Sequence, residues 1–290
     1  MAEIKTLAGN MTFTECPRWH EGRWWFSDFY THAIYSMKSD GSDLKKEVDV
    51  PAQPSGLGWL PDGRLIFVSM KDRKVMAREA DGSLSVHADV SSYVTGHPND
   101  MVVGPDGVAY LGNFGFDLMG GAPPATANLL RIAPDGSVKI AAEGLHFPNG
   151  SVITPDGRML IVDESFGNRT SAFDITSDGL GPRRDWAVFG PIPKQAQDRN
   201  YVPDGCGLDA EGALWIADAG GGRVCRVREG GEILETIEPG TGVFACMLGG
   251  EDGRDLIMCC APDFYEHKRS ASKEAELRVV RVKVPRAGWP

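Results

Sequence analysis

The sequence predicts an all-β protein, a six-bladed β-propeller with four-stranded antiparallel blades that spans residues 1–290 as one domain. Three observations support this fold: many turn-forming residues, a turn motif that recurs six times, and a short β-rich run after each copy. The chain contains 36 glycines and 19 prolines among its 290 residues, which is typical of a folded, turn-rich protein. All-β folds commonly reach this length as a single domain.

The recurring motif is a turn that ends in glycine and joins two apolar runs. Its copies recur at intervals of 41 to 55 residues and divide the chain into six units. Such a step between apolar runs is a strong hairpin signal, because glycine supplies the positive φ that tight hairpin turns need. The six copies are His20-Glu21-Gly22, Pro61-Asp62-Gly63, Pro105-Asp106-Gly107, Pro155-Asp156-Gly157, Ala210-Glu211-Gly212 and Glu251-Asp252-Gly253.

A second hairpin signal follows in several units, so these units contain four strands each. The second set of turns ends at Gly41, Gly82, Gly136 and Gly179. A four-stranded unit of this length, repeated six times, is typical of a β-propeller. A pair of β-sandwiches is the rival fold, but it needs no repeat of this length.

The ends of the chain and its irregular segments complete the prediction. Strand-like residues 278–284 are expected to pair with residues 3–7 and close the ring. Helical periodicity is weak, and only residues 272–277 suggest a turn of helix. The polar segments 120–128 and 191–203 predict long loops, which on a rigid scaffold often carry function.

Charge and composition exclude several classes of function. The 40 Asp and Glu outnumber the 30 Lys and Arg, and a net charge of −10 has the wrong sign for a nucleic-acid binder. The apolar stretches are far shorter than the ~18 to 20 residues that cross a bilayer, and the first ten residues lack the apolar core of a secretory signal. We therefore expect a cytoplasmic protein that binds neither nucleic acid nor membrane, with its six cysteines reduced and buried.

Residues at the same distance from each hairpin glycine should occupy equivalent places around the propeller axis. The relevant positions lie eight residues before four of the glycines, and seven residues before the first and the last. They are Glu15, Ser55, Asn99, Asn149, Asp204 and Cys246. Each precedes the first predicted strand of its blade, so all six side chains converge at one mouth of the channel if that strand is innermost.

Converging carboxylate and carboxamide oxygens indicate a cation site. Two like charges without a cation repel and shift each other's pKa. An all-oxygen set suits Ca²⁺, Mg²⁺ or Mn²⁺, whereas imidazole or thiolate ligands would favour Zn²⁺ or Fe. Single Asn or Asp residues near glycine also cap turns on their own, but turn capping does not account for the shared register of four units.

Four strings of residues also carry a family resemblance. They are ECPRWHEGRWWFSD, GHPNDMVVGPDGVAYLGN, FPNGSVITPDGRMLIVDES and VPDGCGLDAEGALWIADA. In order and spacing they resemble the regucalcin and gluconolactonase family (senescence marker protein, luciferin-regenerating-enzyme-like), over most of residues 12–260. The resemblance implies a six-bladed propeller with one divalent ion on its axis, Ca²⁺ first and Mn²⁺, Mg²⁺, Zn²⁺ or Fe²⁺ as alternatives.

The same resemblance implies roles for particular residues. Glu15, Asn149 and Asp204 match the family's metal ligands, and Asp204 also matches its general base. Asn99 matches a residue that touches the ion, its water or the substrate. These positions would make one metal centre with an adjoining substrate site.

The sequence departs from sugar-lactone members of the family at the substrate side. Those members have an arginine two residues before the Asn of their Asn-Asp motif, where this chain has His97. Phe114, Phe116 and Met119 follow the next strand, where sugar binders are more polar. We therefore expect a smaller or more apolar lactone or ester, bound by Asn99, His97, Phe114 and Phe116.

The expected function is metal-dependent hydrolysis of a lactone or a similar simple ester, with water activated by Asp204. Two alternatives stay open: a phosphotriesterase or fluorophosphatase at the same site, and a non-catalytic calcium-binding or ligand-sensing protein. His97 and His146 lie close enough in sequence to reach the site, where they would bond substrate or shuttle a proton, or else bond loop backbone. The sequence contains no phosphate-binding loop, zincin or serine-hydrolase motif, and it leaves the oligomeric state open.

Overall fold

The computed structural model describes residues 3–194 and 198–290, and in this part of the chain it contains 25 β-strands and one short helix. The strands form six antiparallel sheets. The innermost strands of neighbouring sheets contact one another all the way round a ring. The predicted six-bladed β-propeller is therefore confirmed.

The first strand along the chain, β1 (Lys5–Met11), belongs to the last blade. The first three blades have four strands each. Blade 1 contains β2 (Thr14–His20), β3 (Arg23–Asp28), β4 (Ala33–Lys38) and β5 (Lys45–Asp49). Blade 2 contains β6 (Pro54–Trp59), β7 (Leu65–Ser69), β8 (Lys74–Arg78) and β9 (Leu84–Asp89). Blade 3 contains β10 (Pro98–Val103), β11 (Ala109–Asn113), β12 (Ala127–Ile132) and β13 (Val138–Leu145).

The remaining blades follow the same order, with one extra strand in blade 4. Blade 4 contains β14 (Pro148–Ile153), β15 (Met159–Glu164), β16 (Arg169–Thr176), β17 (Gly179–Leu180) and β18 (Arg184–Val188). Both β17 and β18 pair with β16, at its two ends. Blade 5 contains β19 (Pro203–Leu208), β20 (Leu214–Asp218), β21 (Arg223–Val227) and β22 (Ile233–Ile237). Blade 6 contains β23 (Val243–Gly249), β24 (Asp255–Cys260), β25 (Ala275–Arg281) and β1.

The ring closes through its terminal strands. Strand β1 pairs antiparallel with β25, with Lys5 opposite Val279 and Thr6 opposite Arg278. The first strand of the chain is thus the outermost strand of blade 6. This pairing confirms the closure predicted from residues 3–7 and 278–284.

The predicted turn of helix at residues 272–277 was wrong. The helix α1 (Glu266–Arg269) lies earlier in the same connection, and β25 begins at Ala275. Ala275 and Leu277 are buried while Glu276 between them is partly exposed, which is the period-two alternation of a strand. Among the described residues, no helix has the length and apolarity needed to cross a bilayer.

The predicted second hairpins and long loops are present. Each of the four second-hairpin glycines has a positive φ, as a tight turn requires. The loop predicted at 120–128 ends two residues earlier than predicted, because β12 begins at Ala127, and the loop predicted at 191–203 ends one residue earlier, because β19 begins at Pro203. Residues 195–197 of the second loop lie outside the described residues.

The core lies between the blades. The innermost strands β10, β14 and β19 are buried along their whole length, whereas the outer strands β13 and β22 are partly exposed. Large side chains such as Trp24, Phe67 and Trp215 fill the space between neighbouring blades and are fully buried. All six cysteines, each within the described part of the chain, are buried and free of disulfides, as expected.

A C-terminal segment crosses the end of the ring at which the innermost strands finish. The backbone N–H of Arg286 donates to Gly253, and that of Ala287 donates to Leu208. Trp289 and Ile153 exchange two backbone hydrogen bonds, of 2.8 and 2.9 Å. The segment therefore ties blades 4, 5 and 6 together on the face opposite the predicted site.

Candidate active site

Five of the six predicted ring residues occupy the same place in their blades. Glu15, Ser55, Asn99, Asn149 and Asp204 are each the second residue of an innermost strand, rather than residues that precede it. Directly at this point the pairing with the next strand shifts by one residue in every one of these blades. A β-bulge redirects a side chain and disrupts local pairing, so the repeated bulge explains how one sequence register produces one cluster.

The prediction for the sixth ring position was wrong, because Phe244 and not Cys246 occupies this position. Phe244 is the second residue of β23, and the bulge of this blade lies between Val243 and Ala245. Phe244 lines the same cavity as Glu15. Cys246 instead lies within the blade, where its thiol contacts the carbonyl of Trp215. Counting back from the hairpin glycine failed because β23 reaches its turn two residues later than assumed.

Five of the ring positions, all but Ser55, open onto a cavity of about 610 Å³. Its polar lining consists of Glu15, Gln53, His97, Asn99, Asn149, Ser165, Arg199, Asp204 and Asp263. Its apolar lining consists of Phe13, Phe29, Tyr30, Met70, Phe114, Leu118, Met119, Phe147, Phe166, Val202, Ala219, Gly220, Phe244, Pro262, Phe264 and Tyr265. A mostly apolar cavity of this size with a few convergent polar groups is typical of a small-molecule site. We call Glu15, Asn99, Asn149 and Asp204 the polar floor.

Two carboxylates lie buried on the polar floor. Glu15 is 8% exposed and Asp204 is 9% exposed. Burial, followed by the nearby charge of Asp100, raises the pKa of Glu15 to about 8. Burial raises the pKa of Asp204 well above its usual range, and the charge of Glu15 adds to this effect. Each carboxylate therefore makes ionisation of the other less favourable.

The carboxamides of the floor belong to a directed hydrogen-bond chain. The Ser55 hydroxyl donates to Asn99 Oδ1 at 2.9 Å, and Asn99 Nδ2 donates to Asn149 Oδ1 at 3.0 Å. Asn149 Nδ2 then donates to Ser165 Oγ at 3.1 Å, and the Ser165 hydroxyl donates to the Pro203 carbonyl at 2.8 Å. The chain crosses four blades and fixes both amides in one orientation.

Arg18 lies beside the floor, but its guanidinium is paired with Asp100. Its Nη2 lies 2.6 Å from Asp100 Oδ1 and also donates to the carbonyl of Met101 at 2.9 Å. Both side chains of this pair are about 95% buried. Arg18 is therefore paired with Asp100, and its charge lowers the pKa of Glu15 less than burial and Asp100 raise it.

The donor set of the floor fits a hard divalent ion. No group of three or more His, Cys, Asp or Glu within residues 3–194 and 198–290 is placed to hold a metal ion. An ion in this cavity would thus depend on the carboxamide oxygens together with the two carboxylates. Carboxylate and amide oxygens are the ligands that Ca²⁺ and Mg²⁺ take.

The predicted substrate-side residues do not all reach the cavity. His97 and Phe114 line it, with their rings 5.8 Å apart. Phe116 is not one of the described lining residues; it lies behind the wall, with its ring 5.8 Å from that of Phe166. Nor is His146 among them, and its backbone N–H donates to Glu164 Oε2 at 2.7 Å. Burial lowers the pKa of His97, so its ring is neutral near pH 7.

Sequence reasoning missed most of the aromatic lining, although the repeat contains a signal for it. In each blade, an N–H just beyond the second strand donates to the carbonyl of the residue immediately before the innermost strand, at 2.9 to 3.0 Å. Ten of the twelve residues in these six pairs line the cavity or its mouth. The pairs are Phe29 to Phe13, Met70 to Gln53, Phe114 to His97, Ser165 to Phe147, Ala219 to Val202 and Ala261 to Gly242.

A protein-family model matches most of the chain. Residues 13–261 match the model described as the SMP-30/Gluconolactonase/LRE-like region. Regucalcin from Danio rerio is 30% identical over 262 residues, which cover 85% of this chain and 82% of that protein.

Two solved structures share the fold at lower identity. A calcium-binding protein, regucalcin, from Agrobacterium tumefaciens superposes with a TM-score of 0.81 at 20% identity, over 100% of this chain and 97% of that one. A gluconolactonase from Xanthomonas campestris superposes with a TM-score of 0.75 at 23% identity, over 100% of this chain and 90% of that one. At these identities the two structures support the fold alone.

Proposed function

Because the chain belongs to the SMP-30/Gluconolactonase/LRE-like family, we propose that it is a metal-dependent hydrolase that opens a lactone or a similar simple ester. The observation that carries this proposal is the polar floor, where Glu15 and Asp204 lie buried in one cavity with Asn99 and Asn149. Buried acids with raised pKa values inside a cleft are characteristic of functional sites. A gluconolactonase from Xanthomonas campestris has the same fold.

One divalent ion is part of the proposal. Glu15, Asn149 and Asp204 would hold it, with Asn99 beside it. Ca²⁺ is our first choice because every donor is an oxygen. When bound, such an ion polarises a carbonyl oxygen and lowers the pKa of water.

Asp204 is the proposed general base. Its carboxylate takes a proton from water while the water oxygen adds to the lactone carbonyl carbon. The same carboxyl then returns the proton to the ring oxygen as the carbon–oxygen bond breaks, which leaves a hydroxy acid. A raised pKa suits the first step, because a more basic carboxylate takes a proton from water more readily.

The other floor residues position Asp204 and the substrate. The hydrogen-bond chain from Ser55 to Pro203 holds Asn99 and Asn149, and Pro203 directly precedes Asp204. A preorganised polar floor of this kind needs no rearrangement as charge develops on the substrate. The phenylalanine side chains that line the cavity favour a less polar substrate than a sugar lactone.

The decisive experiment compares Asp204→Asn with Asp178→Asn, a matched change in an exposed turn of blade 4. Acid release is measured over a panel of γ- and δ-lactones, before and after chelation, with elemental analysis of the purified protein. We expect Asp204→Asn to lose roughly 10² to 10⁴-fold in kcat with an unchanged circular dichroism spectrum, and Asp178→Asn to retain activity.

The same panel separates the alternatives. Near-normal turnover in Asp204→Asn would remove this residue from the mechanism, and activity that survives chelation would remove the ion. Preferential hydrolysis of a phosphotriester or fluorophosphate would favour a phosphotriesterase or fluorophosphatase at the same site. Calcium binding by the floor without turnover of any ester would favour a calcium-binding or ligand-sensing protein.

A further inference from the structure

Two aromatic walls face each other across the polar floor. On blades 6 and 1, the ring of Phe244 lies 4.9 Å from Phe13 and 6.3 Å from Phe264. On blades 3 and 4, the ring of Phe147 lies 4.7 Å from Phe114. Blades 1 and 4, like blades 3 and 6, are three places apart in a ring of six, so the two walls stand on opposite sides of the axis.

Exposure rises from the floor to the mouth along both walls. Phe244, at the level of the floor, is 7% exposed, whereas Phe264 and Tyr265 at the mouth are 37% and 45% exposed. Met119 is 42% exposed and lines the same cavity from the blade 3 connection. Exposed apolar side chains gathered at one pocket mark a binding groove. The apolar surface is thus continuous from the floor to the mouth.

The cavity is large for a bare lactone ring. Its volume of about 610 Å³ falls in the range of roughly 300 to 1,000 Å³ that encloses drug-sized ligands. A five- or six-membered ring on the floor would leave most of both walls in contact with water. A polyhydroxylated ring would place hydroxyl groups against phenyl rings that offer them no hydrogen bonds.

We propose that the substrate is a lactone that carries an alkyl chain, with its ring on the polar floor and its chain between the two aromatic walls. The position of the ring rests on the proposed function, whereas the walls carry the argument for the chain. Phe244 takes the one floor position that other blades fill with polar side chains, so the floor is apolar on that side. The alkyl chain of the substrate extends from Phe244 towards Phe264 and Met119.

The test is a series of γ-lactones of increasing chain length, from γ-butyrolactone through γ-hexalactone and γ-octalactone to γ-decalactone. We expect kcat/KM to rise about fourfold for each added methylene, which corresponds to ~0.8 kcal/mol per buried CH₂, until the chain reaches the mouth. Glucono-δ-lactone should be a poorer substrate than γ-octalactone. A flat or falling series would overturn the inference.

Variants at the mouth of the cavity test where the alkyl chain of the substrate lies. We expect Met119→Ser and Phe264→Ser to lower kcat/KM for γ-decalactone at least tenfold more than for γ-butyrolactone. Val86→Ser is the control, because Val86 is 52% exposed on the outer strand β9, and it should leave this ratio unchanged. Equal effects of all three variants would contradict the proposed path of the chain.

Binding of 2-alkylcyclopentanones by isothermal titration calorimetry separates this inference from the proposed function, since these cyclic ketones have no ester bond to hydrolyse. Affinity that rises with chain length supports the chain site even if no lactone is turned over, in which case the hydrolase proposal fails alone. Turnover without dependence on chain length in either assay overturns the chain site and leaves the hydrolase proposal standing.

Discussion

Metal-free protein should lose stability as pH rises through the neutral range, and Glu15 should cause a large part of the loss. The pKa of this buried carboxyl is raised from 4.5 to about 8 in the folded chain. The folded state therefore holds a proton that the unfolded state has already released. Because the folded state binds more protons, the contribution of Glu15 to the free energy of unfolding is fully present below pH 4.5. This contribution is lost as the pH rises towards 8.

The size of the effect follows from the two pKa values. Between pH 6.5 and 8.5, a group with a folded pKa of about 8 contributes a loss of roughly 2 kcal/mol in the free energy of unfolding. That loss corresponds to a decrease in Tm of roughly 4 to 8 °C for a domain of this size. The window lies above the usual pKa of histidine, so the lowered pKa values of His97 and His146 contribute little there.

The assay is thermal unfolding at intervals of half a pH unit in the presence of a chelator. Glu15→Gln removes the titrating group while it keeps the shape, so the fall in Tm across the window should shrink by those several degrees. Added Ca²⁺ should reduce the fall in the unaltered protein. Equal slopes in the two proteins, or a Tm that rises with pH, would refute the electrostatic account of the floor.

Three further predictions concern packing beneath and beside the site. A Cβ on Gly150 would lie 2.2 Å from the backbone oxygen of Asp204, so Gly150→Ala should force two innermost strands apart, cost about 1 to 3 kcal/mol and lower kcat. Arg18→Met should leave Asp100 buried without its partner, which costs about 3 to 5 kcal/mol in denaturant unfolding. Removal of residues 285–290 should cost about 2 to 5 kcal/mol, because backbone hydrogen bonds to three blades are lost.

Matched controls make these outcomes specific. Gly9→Ala should be tolerated, because its added Cβ would lie 3.9 Å from the nearest atom. Arg228→Met removes an exposed arginine paired with Glu232 and should change stability by less than about 1 kcal/mol. The contacts described above would be contradicted if the free energy of unfolding of Gly150→Ala, Arg18→Met or the shortened chain were as little changed as that of the control variants.

The sequence predicted the fold and the polar floor because both follow from a repeated turn. Hairpin glycines fix the register of the strands, and register decides which residue reaches the axis. Glu15, Asn99, Asn149 and Asp204 therefore meet as the spacing predicted, and β1 closes the ring with β25. Their roles as ligands or base remain predictions, which the experiments above address.

The site residues that were predicted wrongly, or not predicted at all, also have local explanations. Cys246 was placed on the floor because its blade was assumed to have the spacing of the first blade, whereas the bulge lies at Phe244. Apart from Phe244, the aromatic walls come from residues that flank the strands, where tertiary structure sets the backbone hydrogen bonds. Phe116 follows the pattern in sequence but packs behind Phe166. Loop direction depends on long-range packing, which spacing alone does not encode.

The pairing of β1 with β25 has a consequence for biosynthesis. The partners stand some 270 residues apart, so all of the intervening residues must be synthesised before blade 6 gains its last strand. Until then β1 has no partner, and its unsatisfied backbone groups are a template for any other extended segment. Two nascent or refolding copies that exchange β1 would satisfy both edges at once. Strand-swapped dimers are therefore the misassembly to expect when the protein is produced at high concentration.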